Sequence, residues 1–276
     1  MKVIIAVLVS MFLLCGCNDE SKQQASIFSW HQENIVADTK TFFTTLNELN
    51  IDTVYQYFSS SLSDQEIKEF VDKCDENEID LYYLCGEKEY GLIKNQAKWL
   101  NEVDQVLRLQ QITHKQIKGV IFDVEPYLLD EYDQDPLAVM DQFVENGQAA
   151  YNYAKENSLE VILCIPYYYD HKGYHNQLEK LVKECCDQLA IMNYYRKDEA
   201  KHIQDEVKLC KQYNKQCINI YEFNDGKGIT KQNTYHDIGL TGAYDNFTKL
   251  KEKLADDKLK LSLHDYDAIR ELLENE

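Results

Sequence analysis

The sequence predicts an α/β fold of the (β/α)8 type, a TIM barrel, and two observations carry that expectation. Eight short segments rich in β-branched and aromatic residues alternate strictly with segments of helical periodicity over about 240 residues. Several of the strand-like segments, such as Val161-Ile-Leu-Cys-Ile165, are continuously apolar, as parallel strands covered on both faces must be. A doubly wound open sheet is the alternative. No Gly-x-Gly-x-x-Gly or Gly-x-x-x-x-Gly-Lys loop follows any strand to cradle a phosphate, and the barrel is favoured.

In chain order the expected strands are 26–30, 52–58, 79–85, 119–125, 160–168, 188–195, 216–222 and 259–264. The helices between them are expected at 37–49, 64–77, 92–112, 136–157, 173–187, 198–213 and 243–256. Boundary signals support several of these. Ser63 precedes Asp64 with Glu66 three residues on, Asp135-Pro136 is a first helical turn, and Asp198-Glu199 opens another. The longest connection, 224–242, holds Gly226, Gly228, Gly239 and Gly242 and is expected to lie as a loop over the barrel mouth.

Of 276 residues 44% are hydrophobic, with 10 Gly and 3 Pro, so the chain can fill one large core and is neither collagen-like nor low in complexity. A formal net charge of −19 repels phosphate backbones and anionic lipid surfaces, and the lysines are scattered among acids rather than gathered in a patch. No nucleic-acid partner is expected. Met1-Lys2 followed by the apolar run Val3–Leu14 is too short for a permanent membrane span and has the size of a signal-peptide core. The run ends in Leu14-Cys-Gly-Cys17, which resembles the lipobox of bacterial lipoproteins. That resemblance implies a lipoprotein signal peptide at 1–16, a lipidated Cys17 carrying a palmitate-type anchor with a polar tether over 17–25, and a barrel domain at 26–276. It implies an extracytoplasmic protein of the bacterial cell envelope that touches the membrane through the lipid alone. The seven remaining cysteines have no Cys-x-x-Cys spacing and read as buried free thiols, with Cys210 and Cys217 the most plausible exception.

Active sites of such barrels lie at the C-terminal strand ends, so the polar residues that close each strand are informative. They include Trp30 and His31, Gln56 and Tyr57, Glu87, Asp123, Glu125 and Tyr127, Tyr167, Tyr168 and Asp170. Asn193, Tyr194, Tyr195 and Arg196 follow, then Glu222, and finally His264, Asp265 and Tyr266. Aromatic plates interspersed with carboxylates and amides suit a sugar ring, with its apolar C–H face and rim of hydroxyls. An oligo- or polysaccharide partner is therefore expected, held by Trp30, His31, Tyr57, Tyr167, Asn193, Tyr194, His264 and Asp265. The sharpest element is Gly119-Val-Ile-Phe-Asp-Val-Glu-Pro126. Asp123 and Glu125, two apart on a strand, point to the same side, where neighbouring carboxyls raise at least one pKa, as a general acid for glycosidic cleavage requires. Glu125 is the expected acid/base and Asp123 its tuning partner. Glu222, ending the seventh strand opposite the fourth, is a candidate nucleophile about 5 Å from Glu125 in a retaining scheme. In the competing scheme Asp123 orients a substrate N-acetyl group that attacks its own anomeric carbon. Neither metal nor cofactor is expected: His171 and His175 fall at a loop-to-helix start without a general base between them.

Gly119–Pro126, Ile191-Met-Asn-Tyr-Tyr-Arg196 and Leu263-His-Asp-Tyr266 resemble the strand ends of a bacterial family of glycoside-hydrolase-like barrel lipoproteins of unassigned substrate. More distantly, the Asp-x-Glu and Met-x-Tyr elements are similar to the chitinase-like hydrolases, glycoside hydrolase family 18. Of that family's Asp-Gly-x-Asp-x-Asp-x-Glu run only Asp123 and Glu125 match, since Lys118 and Ile121 stand at the other two acidic positions. Tyr195 follows Tyr194 where the chitinase pattern has Asp. The resemblance implies a membrane-anchored glycoside hydrolase. A catalytically inactive glycan-binding barrel is the alternative.

Overall fold

The computed structural model describes residues 23–275, so the signal peptide expected at 1–16 and the lipidation expected at Cys17 lie outside the described residues. Eight parallel strands form a closed barrel in sequence order. They are β1 (Ala25–Ser29), β2 (Ile51–Gln56), β3 (Asp80–Cys85), β4 (Gly119–Phe122), β5 (Glu160–Pro166), β6 (Gln188–Met192), β7 (Gln216–Glu222) and β8 (Lys260–His264). The barrel closes through Ser26 opposite Ser262 and Ile27 opposite Leu263. Around it run α1 (Glu33–Val36), α2 (Thr39–Glu48), α3 (Asp64–Glu76), α4 (Gln96–Thr113), α5 (Asp130–Gln134), α6 (Pro136–Glu156), α7 (His175–Glu184), α8 (Glu199–Tyr213), α9 (Gly239–Leu254) and α10 (Tyr266–Asn275).

The expected (β/α)8 class is therefore the observed one, and the local signals explain the boundaries. Ser63 and Glu66 form a reciprocal capping box at the start of α3. Asp135 caps α6 by accepting from the Ala138 N–H, with Pro136 in the first turn, where its missing N–H costs nothing. Three differences stand out. Strands β4 and β6 end three residues short of their expected limits, because Asp123–Glu125 and Asn193–Tyr195 leave the ladder and turn outward as loops. Gly239 and Gly242 belong to α9, so the loop after β7 is shorter than the glycine content suggested. Helix α10 was not anticipated. It is short, but Ala268, Ile269 and Leu272 give it one buried face, and Asp265 Oδ1 caps it by accepting from the Ala268 N–H at 3.0 Å.

Strand alternation divides the core in two. Phe28, Tyr55, Leu84, Ile121, Ile162 and Ile220 fill the barrel interior, with Cys164 and Met192. Their neighbours in sequence face the helices and meet Trp99, Phe143, Leu181 and Phe247. All seven cysteines among the described residues are free and buried. Cys210 and Cys217, the pair expected to be the exception, are hydrogen-bonded thiols.

Candidate active site at the C-terminal mouth of the barrel

The alternation that builds the interior also selects which strand-end side chains enter the mouth. Trp30 continues the inward phase of Phe28, Tyr194 that of Met192, and both pack against the interior cluster. Asp123 follows Ile121, Glu222 follows Ile220 and His264 follows Ser262 in the same phase.

Asp123 is the first of these acids along the chain. The residue is half-buried, but its Oδ1 is sealed from solvent and has no hydrogen-bond partner among the described residues. Burial of the carboxyl and then the neighbouring Glu125 charge push its pKa up to about 6, against the pull of His264 and of the Cys164 thiol that donates to it. Glu125 lies in the following turn, where Pro126 opens a short 3-10 segment, and its Oε1 accepts from the Tyr127 hydroxyl at 2.5 Å. The backbone beneath is tightly set. The Asp123 N–H donates to the Cys85 carbonyl at 2.8 Å, and a Cβ on Gly86 would sit 2.0 Å from the Asp123 carbonyl oxygen, so only glycine allows β3 and β4 to end this close together.

Across the mouth Glu222 is nearly enclosed. Its Oε1 accepts from the Phe223 N–H at 2.9 Å, the Asn224 N–H at 2.8 Å and the Asn224 side-chain amide at 2.8 Å. Its Oε2 meets His264 Nδ1 at 3.1 Å. Burial would raise this carboxyl, but the His264 and Asn224 contacts outweigh it and hold the pKa below the usual glutamate value. His264 accepts at Nε2 from the Trp30 indole N–H at 3.2 Å, so Nδ1 carries the ring hydrogen and donates it to Glu222. Burial alone would depress the imidazole pKa; the Glu222 carboxylate reverses that and leaves it raised. Tyr194 lies 6.0 Å from the His264 ring. Burial first, and then the charges of Glu222, Asp123 and Glu125, keep its phenol protonated, so one hydroxyl is within electrostatic reach of all three carboxyls.

The structure thus brings together Asp123, Glu125, Glu222, His264, Trp30 and Tyr194, with Tyr57 flanking Trp30 at 6.4 Å between ring centroids. Other predicted contact residues take different places. Asn193 falls in the outward phase of β6, is 1% exposed, and donates its amide to Asn219 Oδ1 at 2.9 Å. Asp265 caps α10. His31 is exposed on the rim, 3.8 Å from Asp267. Tyr167 stacks on His202 of α8 at 4.6 Å. Sequence reasoning missed Cys164, taken as a small core hydrophobe, and Asn224; inward phase on β5 was the signal available for the former. The loop after β7 is fastened beside the site. The Asn233 amide donates to the Tyr194 carbonyl, and the Tyr235 N–H donates to that of Glu222. The Tyr235 hydroxyl donates to buried Glu199.

No protein-family model matches the chain, and no curated protein matches it by sequence. Solved structures do match. A GH18 chitinase from Pseudoalteromonas aurantia aligns with a TM-score of 0.58 at 11% identity, covering 91% of this chain and 100% of that one. A chitinase from Chromobacterium violaceum ATCC 12472 aligns at 0.54 and 10% identity, covering 91% and 98%. D-Psicose 3-epimerase from Clostridium cellulolyticum H10, solved with D-tagatose, aligns at 0.54 and 11% identity, covering 88% and 85%. At these identities the likeness is one of fold: a single TIM barrel.

Proposed function

We propose that the protein is a carbohydrate-processing barrel, a glycoside hydrolase in which Glu125 is the general acid/base. The observation that carries this reading is the coupled pair of carboxyls. Glu125 is held by Tyr127, and its charge, after burial, helps raise Asp123 to about 6, where that acid can carry a proton or a charge near neutrality. Trp30 and Tyr57 offer apolar faces beside it, as a sugar requires. The similarity of fold to two chitinases and a sugar epimerase supports the same class.

Between the two schemes the geometry favours the one confined to the fourth strand. A carboxylate nucleophile must present an accessible oxygen to the anomeric carbon, whereas Glu222 is nearly enclosed, with three donors on Oε1 and His264 on Oε2. Its charge is engaged in holding His264, and with it Trp30. Asp123, half-buried and electrostatically coupled to Glu125, is the carboxyl left to orient a substrate acetamido nitrogen through its other oxygen or to exchange a proton with Glu125.

The test is Glu125→Gln, assayed for reducing-end release on a panel of neutral and N-acetylated oligosaccharides and for binding by calorimetry. Turnover is expected to fall by about 10²–10⁴-fold with binding nearly unchanged. Undiminished turnover would remove Glu125 from the chemistry. Binding without turnover in the unmodified protein would favour the inactive glycan-binding alternative. We further propose that Cys17 carries a lipid that tethers this domain outside the cytoplasmic membrane. Incorporation of a palmitate analogue in cells should be lost in Cys17→Ala; labelling that survives the substitution rules the anchor out.

A further inference from the structure

Beside the mouth, between β2 and β3 on one side and α3 and α4 on the other, lies a cleft of about 690 Å³ that the chemistry above does not use. It shares two walls with the candidate site. Trp30, whose indole donates to His264, also lines the cleft, and so does Gly86, whose Cα abuts the Asp123 backbone. Tyr57 stands at its entrance, and Phe58 and Tyr83 lie parallel within it at 6.2 Å. Its volume falls within the range of small-ligand sites.

The charged and phenolic groups of the recess share one bias, while Ser59, Ser60 and Gln105 add neutral polar groups. Glu102 of α4 receives the Tyr83 hydroxyl on Oε2 at 2.9 Å and the Tyr90 hydroxyl on Oε1 at 2.6 Å. Both phenolic hydrogens are thereby committed, and what remains on both tyrosines and on the carboxylate is acceptor capacity. Glu87 adds a second negative charge, while the one cation of the cleft, Arg108, is engaged by Asp64 at 2.5 Å. Such a recess repels carboxylates and phosphates and offers acceptors, with a few neutral donors, to the hydroxyls of an uncharged ligand. With aromatic faces at the entrance and inside, the matching ligand is a neutral sugar ring.

We propose that this cleft is a side arm of the mouth that takes the neutral, hydroxyl-rich sugar units of a substrate beyond the unit at Asp123 and Glu125. The inference rests on the carbohydrate reading of the site and adds to it a preference for long, uncharged chains. Trp30 and Glu102 both line the arm, and longer chains are the ones expected to gain from it.

The experiment uses Gln105→Trp, which places a bulky ring in the cleft from an exposed position of α4, with Gln105→Ala as the control. Binding of each protein, and of Glu125→Gln, is measured on an array of neutral and acidic oligosaccharides of graded length. The tryptophan variant is expected to lose affinity by about tenfold or more for neutral chains of about six units, to bind disaccharides within about twofold, and to match the alanine variant in thermal stability. Equal binding of long neutral chains by both Gln105 variants would overturn the side arm and leave the Glu125 reading intact. Preferential binding of acidic glycans, or of no glycan at all, by the unmodified protein would overturn it as well. Normal length dependence combined with undiminished turnover in Glu125→Gln would instead overturn the catalytic assignment alone.

Discussion

Glu222 and Glu206 are both glutamates almost sealed from solvent, at 8% and 0% exposure, yet they are opposite cases. Glu222 ends β7 and is wrapped by four donors, and its pKa lies below the ordinary glutamate value. Glu206 projects from α8 into the core, and neither carboxyl oxygen has a partner among the described residues. Burial, and then the charge of Asp170, push its pKa up to about 9. Burial by itself therefore does not mark a functional acid. The donors gathered around an acid decide whether the fold stores a charge there or a proton.

The largest effect that tests this contrast is on stability. An unfolded Glu206 ionises near its ordinary value of 4.5, whereas the folded one keeps its proton up to about 9, so the unfolded state gains charge first and stability falls as pH climbs between those limits. Glu206→Gln cannot ionise and should be spared. Relative to the unmodified protein it is expected to gain on the order of 3–4 kcal/mol between pH 5 and pH 8, read from urea denaturation at each pH. A difference that does not change with pH would mean that Glu206 is ionised in the fold, and the contrast with Glu222 would collapse.

A smaller effect probes the other member. In the native arrangement the Trp30 N–H occupies the Nε2 lone pair of His264 and so opposes a second ring proton, while Glu222 favours one. Trp30→Phe removes that opposition and should raise the His264 pKa further, followed through the ring C–H resonance in an NMR titration. Glu222→Gln should move it the other way. A shift of the same sign in both variants would refute the proposal that the charge of Glu222 is engaged by His264.

Much of the fold was legible in the chain because parallel strands and amphipathic helices are written at fixed periods. The apolar run Val161–Ile165 is β5 and the Ser63 capping box opens α3. Within the site the same period carries the information that separates Asp123 and Tyr194 from Asn193, yet Asn193 was expected among the sugar-holding residues although counting along β6 gives it the outward phase. Contacts made by turns were not legible. Nothing in the order of residues states that Asn224 folds onto Glu222, and the Asp265 cap was overlooked because that residue was assigned to the sugar. Acids of helix interiors are equally silent. Glu199 and Glu206 look like members of a solvated helix face, but the first anchors the loop after β7 through Tyr235, and the second is buried without partners.

The relay from Trp30 through His264 to Glu222 joins the first, eighth and seventh strands, across the seam where the barrel closes. Its members are thus drawn from the two extremes of the chain, separated by some of the longest loops the polypeptide can form, and their encounter carries the full entropic cost of closing the ring. During synthesis the half of the mouth built on Asp123 and Glu125 is complete in sequence long before the other half emerges. A nascent or truncated chain lacking the eighth strand would therefore present acids without the imidazole that faces them, and the mouth becomes whole only in the step that closes the barrel.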